Sequence, residues 1–223
     1  AEVDWVSGLA EHLPIAGIIA FAPVELGAGV GTHLDALREH SLVRGVRRMT
    51  QDEAPGFGVS DAFIAGARAV ASAGLTFDAC VRSHLLGDVA ALARAVPALP
   101  IMLDHLGKPP LEGPGGAPGE GFARWQSSLQ ACADEPNVWV KLSGLPGETT
   151  PDWTPEGLTP FMDAALSAFG PDRCVFGSDW PASSPSSGYA RWLAFVRAWL
   201  ASRVDADTAD CVLWHNAERF YLG

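Results

Sequence analysis

Six short apolar runs alternate with amphipathic stretches along the 223 residues, and this alternation constrains the fold more than any other feature of the sequence. Each run can form one buried strand, and each amphipathic stretch can form a helix. Strands and helices that alternate in this way build βαβ units around a parallel sheet. The predicted strands are Ile15–Val24, Val43–Met49, Leu75–Val81, Pro100–Leu106, Asn137–Leu145 and Cys174–Trp180, and the predicted helices are Thr32–His40, Ser60–Ala73, Gly87–Val96, Phe122–Asp134, Pro155–Phe169 and Gly188–Ser202.

The composition narrows the class of protein. Apolar residues make up 48% of the chain, which is enough for a sizeable core, and we predict a single domain over residues 1–223. The net charge of -11 argues against nucleic-acid partners and against an anionic membrane surface. No apolar run is long enough to span a membrane, and no secretory signal opens the chain. The four cysteines are far apart, which is typical of free thiols in the cytoplasm.

Glycine and proline dominate the segment Gly107–Gly121, which predicts a long loop without regular structure. The loop follows a predicted strand, and in a barrel that position belongs to the catalytic face. A disordered surface insertion is the alternative, and composition alone favours neither.

Polar and ionisable residues gather at the carboxyl ends of the predicted strands, where parallel α/β folds bind ligands. Lysine occurs only at positions 108 and 141, both near strand ends, which indicates a ligand that is anionic or rich in oxygen. Arginine or lysine there could bind a carboxylate or a developing oxyanion. The alternative is that each cation pairs with a nearby carboxylate, as Asp78 could with Arg82. The polar and ionisable residues at these strand ends are Arg47, Arg82, Asp104, His105, Lys141, Ser143 and Asp179.

The twofold alternation of side chains in a strand predicts which of these residues point inward. In Asn137–Leu145, Lys141 and Ser143 share the polar face, which we expect to meet the lumen. In Pro100–Leu106, a regular strand would place His105 with Leu103 and would turn Asp104 to the opposite face.

Two residues are the best candidates for chemistry. Asp179 lies in the segment Phe176–Pro181 at a strand end, where it could take a proton from water. A helix-capping or turn aspartate is the alternative. His105 lies in Leu103–Pro109 and could polarise a carbonyl, orient a water molecule or bind a metal. A histidine satisfied within the core is its alternative.

Other residues are candidates for the walls of a pocket and for metal binding. Ser143, Trp180 and His84 are expected to contact substrate, and indole faces could line the pocket unless they pack in the core. The tryptophans concerned are Trp139, Trp153 and Trp180. The sequence contains no HxH or HExxH, and Asp179 and His105 alone cannot hold a metal tightly. We therefore predict no certain cofactor and leave one zinc or other divalent ion open.

Five motifs in order resemble the amidohydrolase 2 family, in the group of sugar lactonases and 2-pyrone-4,6-dicarboxylate lactonases. The resemblance implies a (β/α)₈ TIM barrel of the metal-dependent hydrolase type and the hydrolysis of a cyclic ester. It implies that Asp179 is the general base and that His105 assists at the carbonyl, with Arg47, Arg82 and Lys141 near the substrate. The motifs are Arg44–Gln51, Leu103–Pro109, Val140–Leu145, Phe176–Pro181 and Asn216–Tyr221.

The sequence departs from the family at its start. The family begins with a strand ending in HxH and a second strand, whereas this sequence begins with a helical pattern and has six predicted strands. We therefore expect a barrel that lacks the first one or two strands, with open edges that invite pairing. The expected function is opening of a lactone by an aspartate-activated water. A zinc-dependent decarboxylase and a non-catalytic truncated barrel remain alternatives. The expected partner is a small lactone or carboxylic acid, and the protein could form a homo-oligomer.

Overall fold

The computed structural model describes residues 2–223, which form one parallel six-stranded sheet with its strands in sequence order. The strands are β1 (Ile18–Phe21), β2 (Val43–Met49), β3 (Thr76–Cys80), β4 (Ile101–Leu103), β5 (Val138–Leu142) and β6 (Cys174–Phe176). The helices are α1 (Glu2–Leu9), α2 (Gly31–Arg38), α3 (Asp61–Ser72), α4 (Leu86–Ala95), α5 (Phe122–Ala133), α6 (Pro155–Phe169), α7 (Tyr189–Ala201), α8 (Ala206–Asp210) and α9 (Asn216–Tyr221).

The alternation of apolar and amphipathic segments predicts this order of strands and helices, and the structure confirms it. The bounds of β2 and α6 match the predicted segments Val43–Met49 and Pro155–Phe169 from end to end. Within residues 2–223, β1 and β6 do not pair with each other, so the sheet is open rather than a closed eight-stranded barrel.

The two faces of β5 differ in the way that the alternation predicts. Val138, Val140 and Leu142 are fully buried in the core between the sheet and the helices. Lys141 lies on the other face, which is called the inner face below, and contacts side chains of β3 and of the segment after β4. The inner face is therefore where the polar side chains of the strands meet.

Local signals in the sequence fix several helix ends. The Ser60 hydroxyl accepts a hydrogen bond from the Phe63 N–H at 3.3 Å and so caps the start of α3. Gly74 follows the end of α3 with a φ of 71°. Left-handed backbone of this kind favours glycine because it lacks a Cβ.

The last helix packs against the inner face rather than outside the sheet. Phe220 of α9 joins Met102 and Val175 in a small apolar cluster on that face, and its ring lies 5.3 Å from the ring of Trp139. This packing brings Tyr221, at the end of α9, next to the strands. Trp139 thus packs against this apolar cluster, which agrees with the core-packing alternative for this residue.

Trp153 does not line a pocket, and that prediction is wrong. Its side chain is buried in the main core, with its ring 6.4 Å from Trp192 and 5.7 Å from Phe195. The indole packs there because α7 covers the segment before α6 and supplies these two aromatic rings.

The segment Gly107–Gly121 is a loop, as its glycine and proline content predicts, with a short 3₁₀ turn at Pro114–Gly116. It packs closely against the start of α6: Gly115 accepts a backbone hydrogen bond from Thr154, and a Cβ built at Gly157 would lie 2.2 Å from the Gly115 oxygen. The loop is therefore part of the packed structure near the carboxyl edge of the sheet.

The cysteines carry no disulfide in the described part of the chain, as their spacing predicts. Among residues 2–223, no helix combines the length and the apolar character needed to cross a membrane.

Candidate functional site

The chain leaves β4 through a left-handed turn that places both Asp104 and His105 on the inner side of the sheet. Asp104 contacts Lys141 and Arg47, whereas Leu103 is buried on the outer face. The expected placement of His105 with Leu103, opposite Asp104, is therefore wrong. The strand ends at Leu103, and His105 has a φ of 55°, so the twofold alternation stops before it reaches the histidine.

His105 faces Asp179 across the carboxyl edge of the sheet. Asp179 follows β6 and also has a positive φ, of 54°, which turns its carboxylate toward the imidazole. Nε2 of His105 lies 3.7 Å from Oδ1 of Asp179, and the two side chains are 12% and 17% exposed. This distance is too long for a direct hydrogen bond, so both atoms keep free hydrogen-bonding capacity toward the mouth of the site.

The imidazole of His105 is held from behind by Ser143. Nδ1 of His105 lies 2.8 Å from the Ser143 hydroxyl oxygen. The ring also packs on Gly144, where a Cβ would lie 2.6 Å from the imidazole. Ser143 is fully buried, which places it behind the histidine rather than at the mouth where the sequence expects it to contact substrate.

Burial lowers the pKa of His105 below its usual range, and Lys141 and Lys108 act in the same direction. The nearby carboxylates of Asp104 and Asp179 oppose this shift without cancelling it. The histidine is therefore neutral at neutral pH.

An ion cluster lies on the inner face next to His105. The ammonium group of Lys141 donates to Asp78 at 2.7 Å and to Asp104 at 2.6 Å, and Arg47 lies 3.4 Å from the second oxygen of Asp104. Burial alone would lower the pKa of Lys141, but the two carboxylates outweigh it and raise the pKa well above its usual value. Lys141 therefore stays protonated and acts as a fixed charge.

Tyr221 completes this cluster from the last helix. Its hydroxyl donates to Asp78, with 3.0 Å and 2.9 Å to the two carboxylate oxygens. Burial raises the pKa of Asp78, and the neighbouring charge of Asp104 adds to that rise. Burial would also raise the pKa of Asp104, but Lys141, His105 and Arg47 together hold it below its usual value.

The remaining sequence candidates lie at the rim. Arg82 pairs with Asp52 at 3.6 Å and with Glu148 at 3.5 Å. The expected pairing of Asp78 with Arg82 is therefore wrong, because Asp78 points to Lys141 from inside the sheet. His84 is exposed two residues beyond Arg82, and within residues 2–223 it makes no hydrogen bond or ion pair. Trp180 is exposed beside Asp179.

Five contributors to the site were overlooked as site residues in the sequence analysis, namely Gln51, Asp52, Asp78, Glu148 and Tyr221. The alternation within β3 carries a signal for Asp78, because it shares a face with Cys80 and with the rim residue Arg82. No local pattern points to Tyr221, which reaches the site only through the packing of α9.

Charge is nearly balanced across the whole site. Four cations, Arg47, Arg82, Lys108 and Lys141, each lie within ion-pair distance of at least one carboxylate. With Asp179, five carboxylates face them: Asp52, Asp78, Asp104, Glu148 and Asp179. The site therefore has no surplus positive charge for an anionic ligand.

A sequence model of the amidohydrolases matches residues 9–222. The chain belongs to the amidohydrolase 2 family. Two L-fucono-1,5-lactonases, from Burkholderia ambifaria and Burkholderia multivorans, are 35% and 36% identical to this amidohydrolase over 80% of its length. Those alignments span 61% and 62% of the two lactonases, so the chain covers about three fifths of their length.

The fold of this amidohydrolase also matches a solved one. A crystal structure of an amidohydrolase from Burkholderia multivorans with bound zinc superposes with a TM-score of 0.88 at 28% identity, over 99% of this chain and 78% of that chain. The six-stranded sheet is thus the greater part of an amidohydrolase barrel.

Zinc in that relative raises the question of whether the described residues fit a metal. Donor atoms of Cys80, Asp104 and His105 lie within 4.8 Å of one another. Both oxygens of Asp104 already accept from Lys141 and Arg47, and burial raises the pKa of the Cys80 thiol, which disfavours the thiolate that binds zinc. Zinc sites use three or four protein ligands, so all three of these residues would be needed. Asp104 could bind the ion only by losing its ion pairs with Lys141 and Arg47, and the cluster therefore does not fit zinc.

Proposed function

We propose that this amidohydrolase opens an uncharged sugar-acid lactone by hydrolysis. The observation that carries the proposal is the approach of His105 to Asp179 at the carboxyl edge of the sheet, 3.7 Å apart and open to the mouth. A carboxylate beside a neutral imidazole provides a base for water and a donor for a carbonyl oxygen.

In the proposed reaction, Asp179 accepts a proton from water as the water oxygen attacks the lactone carbonyl carbon. In this proposal the Ser143 hydroxyl, whose oxygen lies 2.8 Å from Nδ1 of His105, is assigned as the donor to that nitrogen, so that the proton on Nε2 points to the carbonyl oxygen. Negative charge that develops on this oxygen is stabilised by that N–H.

The ring then opens at the bond between the carbonyl carbon and the ring oxygen. Asp179 returns its proton to the departing alkoxide and is thereby ionised again, and the product is a hydroxy acid whose carboxyl group loses its own proton to water. The groups that act in these steps are Asp179 and His105. No step needs a change in the charge of Lys141.

Two observations favour a sugar lactone over a pyrone dicarboxylate. The cations of the site are already paired, so two further carboxylates on a ligand would meet five carboxylates without free partners. The two L-fucono-1,5-lactonases are also the relatives with 35% and 36% identity. A neutral, hydroxyl-rich ring brings no further carboxylate into the site.

A lactone panel scored by acid release tests this proposal. We expect sugar-acid 1,5-lactones to be hydrolysed faster than 2-pyrone-4,6-dicarboxylate, and we expect the rate to survive dialysis against a chelator. Carbon dioxide release from aromatic acids serves as the control for the decarboxylase alternative. Loss of turnover on chelation together with carbon dioxide release would replace the lactonase by a metal-dependent decarboxylase.

The Ser143→Ala variant tests the orientation of the imidazole. Removing this hydrogen bond costs about 1.4 kcal/mol, and we expect kcat to fall about tenfold because the proton on Nε2 is no longer fixed. The measurement is kcat against pH for one sugar lactone. Ser202→Ala, a change at the far end of α7, is the matched control, and a pH profile and kcat equal to the parent's would contradict this role for Ser143.

A further inference from the structure

A polar cluster crosses the mouth of the site and joins four consecutive loops. The Lys108 ammonium group donates to Gln51 at 2.6 Å and to Glu148 at 3.0 Å. The other oxygen of Glu148 lies 3.5 Å from Arg82. These residues follow β2, β3, β4 and β5 respectively in the order Gln51, Arg82, Lys108 and Glu148, so the cluster forms one side of the opening.

The central pair of this cluster is unlike an ordinary surface ion pair. The side chains of Lys108 and Glu148 are only 14% and 26% exposed. Lysine and glutamate are rarely buried, and exposed pairs add little to stability. Lys108 also has a φ of 50°, a backbone conformation that residues other than glycine seldom adopt.

The cluster borders the atoms that carry the proposed chemistry. Lys108 belongs to the same turn as His105, and its backbone N–H donates to the His105 carbonyl at 2.8 Å. Glu148 follows Gly147, where a Cβ would lie 3.3 Å from Oδ2 of Asp179. Lys108 and Glu148 therefore belong to the two chain segments that contact His105 and Asp179.

The three side chains offer the hydrogen bonds that a diol needs. An ammonium group donates, a carboxylate accepts, and an amide does both, whereas each hydroxyl group of a sugar is a donor and an acceptor. The ammonium and the carboxylate neutralise each other, so the set suits an uncharged polyol and disfavours an anionic one. A lactone ring without hydroxyl groups would form no such hydrogen bonds with Lys108, Gln51 and Glu148.

We propose that Lys108, Gln51 and Glu148 form a subsite that binds the ring hydroxyl groups of the substrate and so selects polyhydroxylated lactones. The subsite rests on the proposed lactonase function and specifies which substituents the substrate must carry. In this proposal His105 and Asp179 carry the reaction, and the subsite determines which lactones bind.

The test compares a sugar-acid 1,5-lactone with δ-valerolactone, which has no hydroxyl groups, in the parent and in the variants Glu148→Gln and Lys108→Met. We expect the ratio of kcat/KM for the sugar lactone to that for δ-valerolactone to fall about ten- to hundredfold, mainly through KM, as hydrogen bonds to charged groups are lost. Glu135→Gln is the matched control, because it breaks the ion pair between Glu135 and the exposed Arg94 before β5, and its ratio should match the parent's.

Binding of a sugar lactam, a cyclic amide that is not hydrolysed, separates this proposal from the lactonase proposal. Calorimetry should give weaker binding for Glu148→Gln than for the parent. An inactive parent that binds the lactam in a Glu148-dependent way would overturn the lactonase and support the subsite. An unchanged selectivity ratio in both variants, or no lactam binding to the parent, would overturn the subsite.

Discussion

Replacing Asp179 by asparagine is expected to lower kcat for a sugar-acid lactone by about a hundred- to ten-thousandfold. Asparagine has nearly the same size and shape but cannot accept a proton from water, so the attack on the carbonyl loses its base. KM should change much less, because the amide still fills the space 3.7 Å from Nε2 of His105. Steady-state kinetics on one lactone measures both effects.

The matched control is Asp172→Asn, which makes the same chemical change at an exposed residue just before β6. This control should retain the parent's kcat, and thermal unfolding should show that both variants fold like the parent. Hydrolysis by Asp179→Asn at the parent's rate would remove Asp179 from the mechanism and with it the proposed lactonase.

Replacing Lys141 by methionine is expected to lower the free energy of unfolding by about 3 kcal/mol. The change leaves Asp78 and Asp104 close together on the inner face without the ammonium group that both of them contact. Lys141 is 19% exposed and both carboxylates are almost fully buried, so water replaces the lost charge poorly. Urea unfolding near neutral pH measures the loss.

The pH dependence of this loss identifies its cause. In the parent, the folded-state pKa of Asp104 lies below its unfolded value, so its stabilising contribution is present at neutral pH and is lost as pH falls through the folded pKa. In the variant, the pKa of Asp104 rises above its unfolded value and the pKa of Asp78, which is already raised in the parent, rises further, so the penalty is largest at high pH. The gap between parent and variant should therefore narrow from about pH 8 to about pH 5.

Two further variants test the same prediction if Lys141→Met folds poorly. The double variant Lys141→Met, Asp78→Asn should recover part of the lost stability, because it removes one of the two unpaired carboxylates. Arg94→Met breaks an exposed ion pair with Glu135 and should cost no more than about 1 kcal/mol. A gap that stays constant with pH would attribute the loss to packing instead of charge.

The alternation of hydrophobic residues was sufficient to predict the strands and the inward placement of Lys141. These features depend on burial within single elements, which local sequence records directly. The same rule misplaced His105, because it assumes that the strand continues, whereas β4 ends at Leu103 and four residues with positive φ follow the first residue of the turn. Three of these four residues are not glycine, so the composition of the segment does not predict left-handed backbone there.

Contacts between distant elements could not be predicted from the sequence. The partner of Asp78 is Lys141, two strands away in the sheet, and not the nearby Arg82. Ser143 was identified as a site residue, yet only its burial behind His105 distinguishes support of the imidazole from contact with a substrate. Strand order and the packing of the helices decide these partnerships, and no single segment of sequence contains that information.

The bond from Tyr221 to Asp78 spans 143 residues of chain. A contact of such long range forms only after the intervening strands have been brought together, since the entropy of closing the loop must be overcome first. The buried Asp78 carboxylate, which also pairs with Lys141, therefore gains its hydrogen bond from Tyr221 only after the sheet that holds it has assembled.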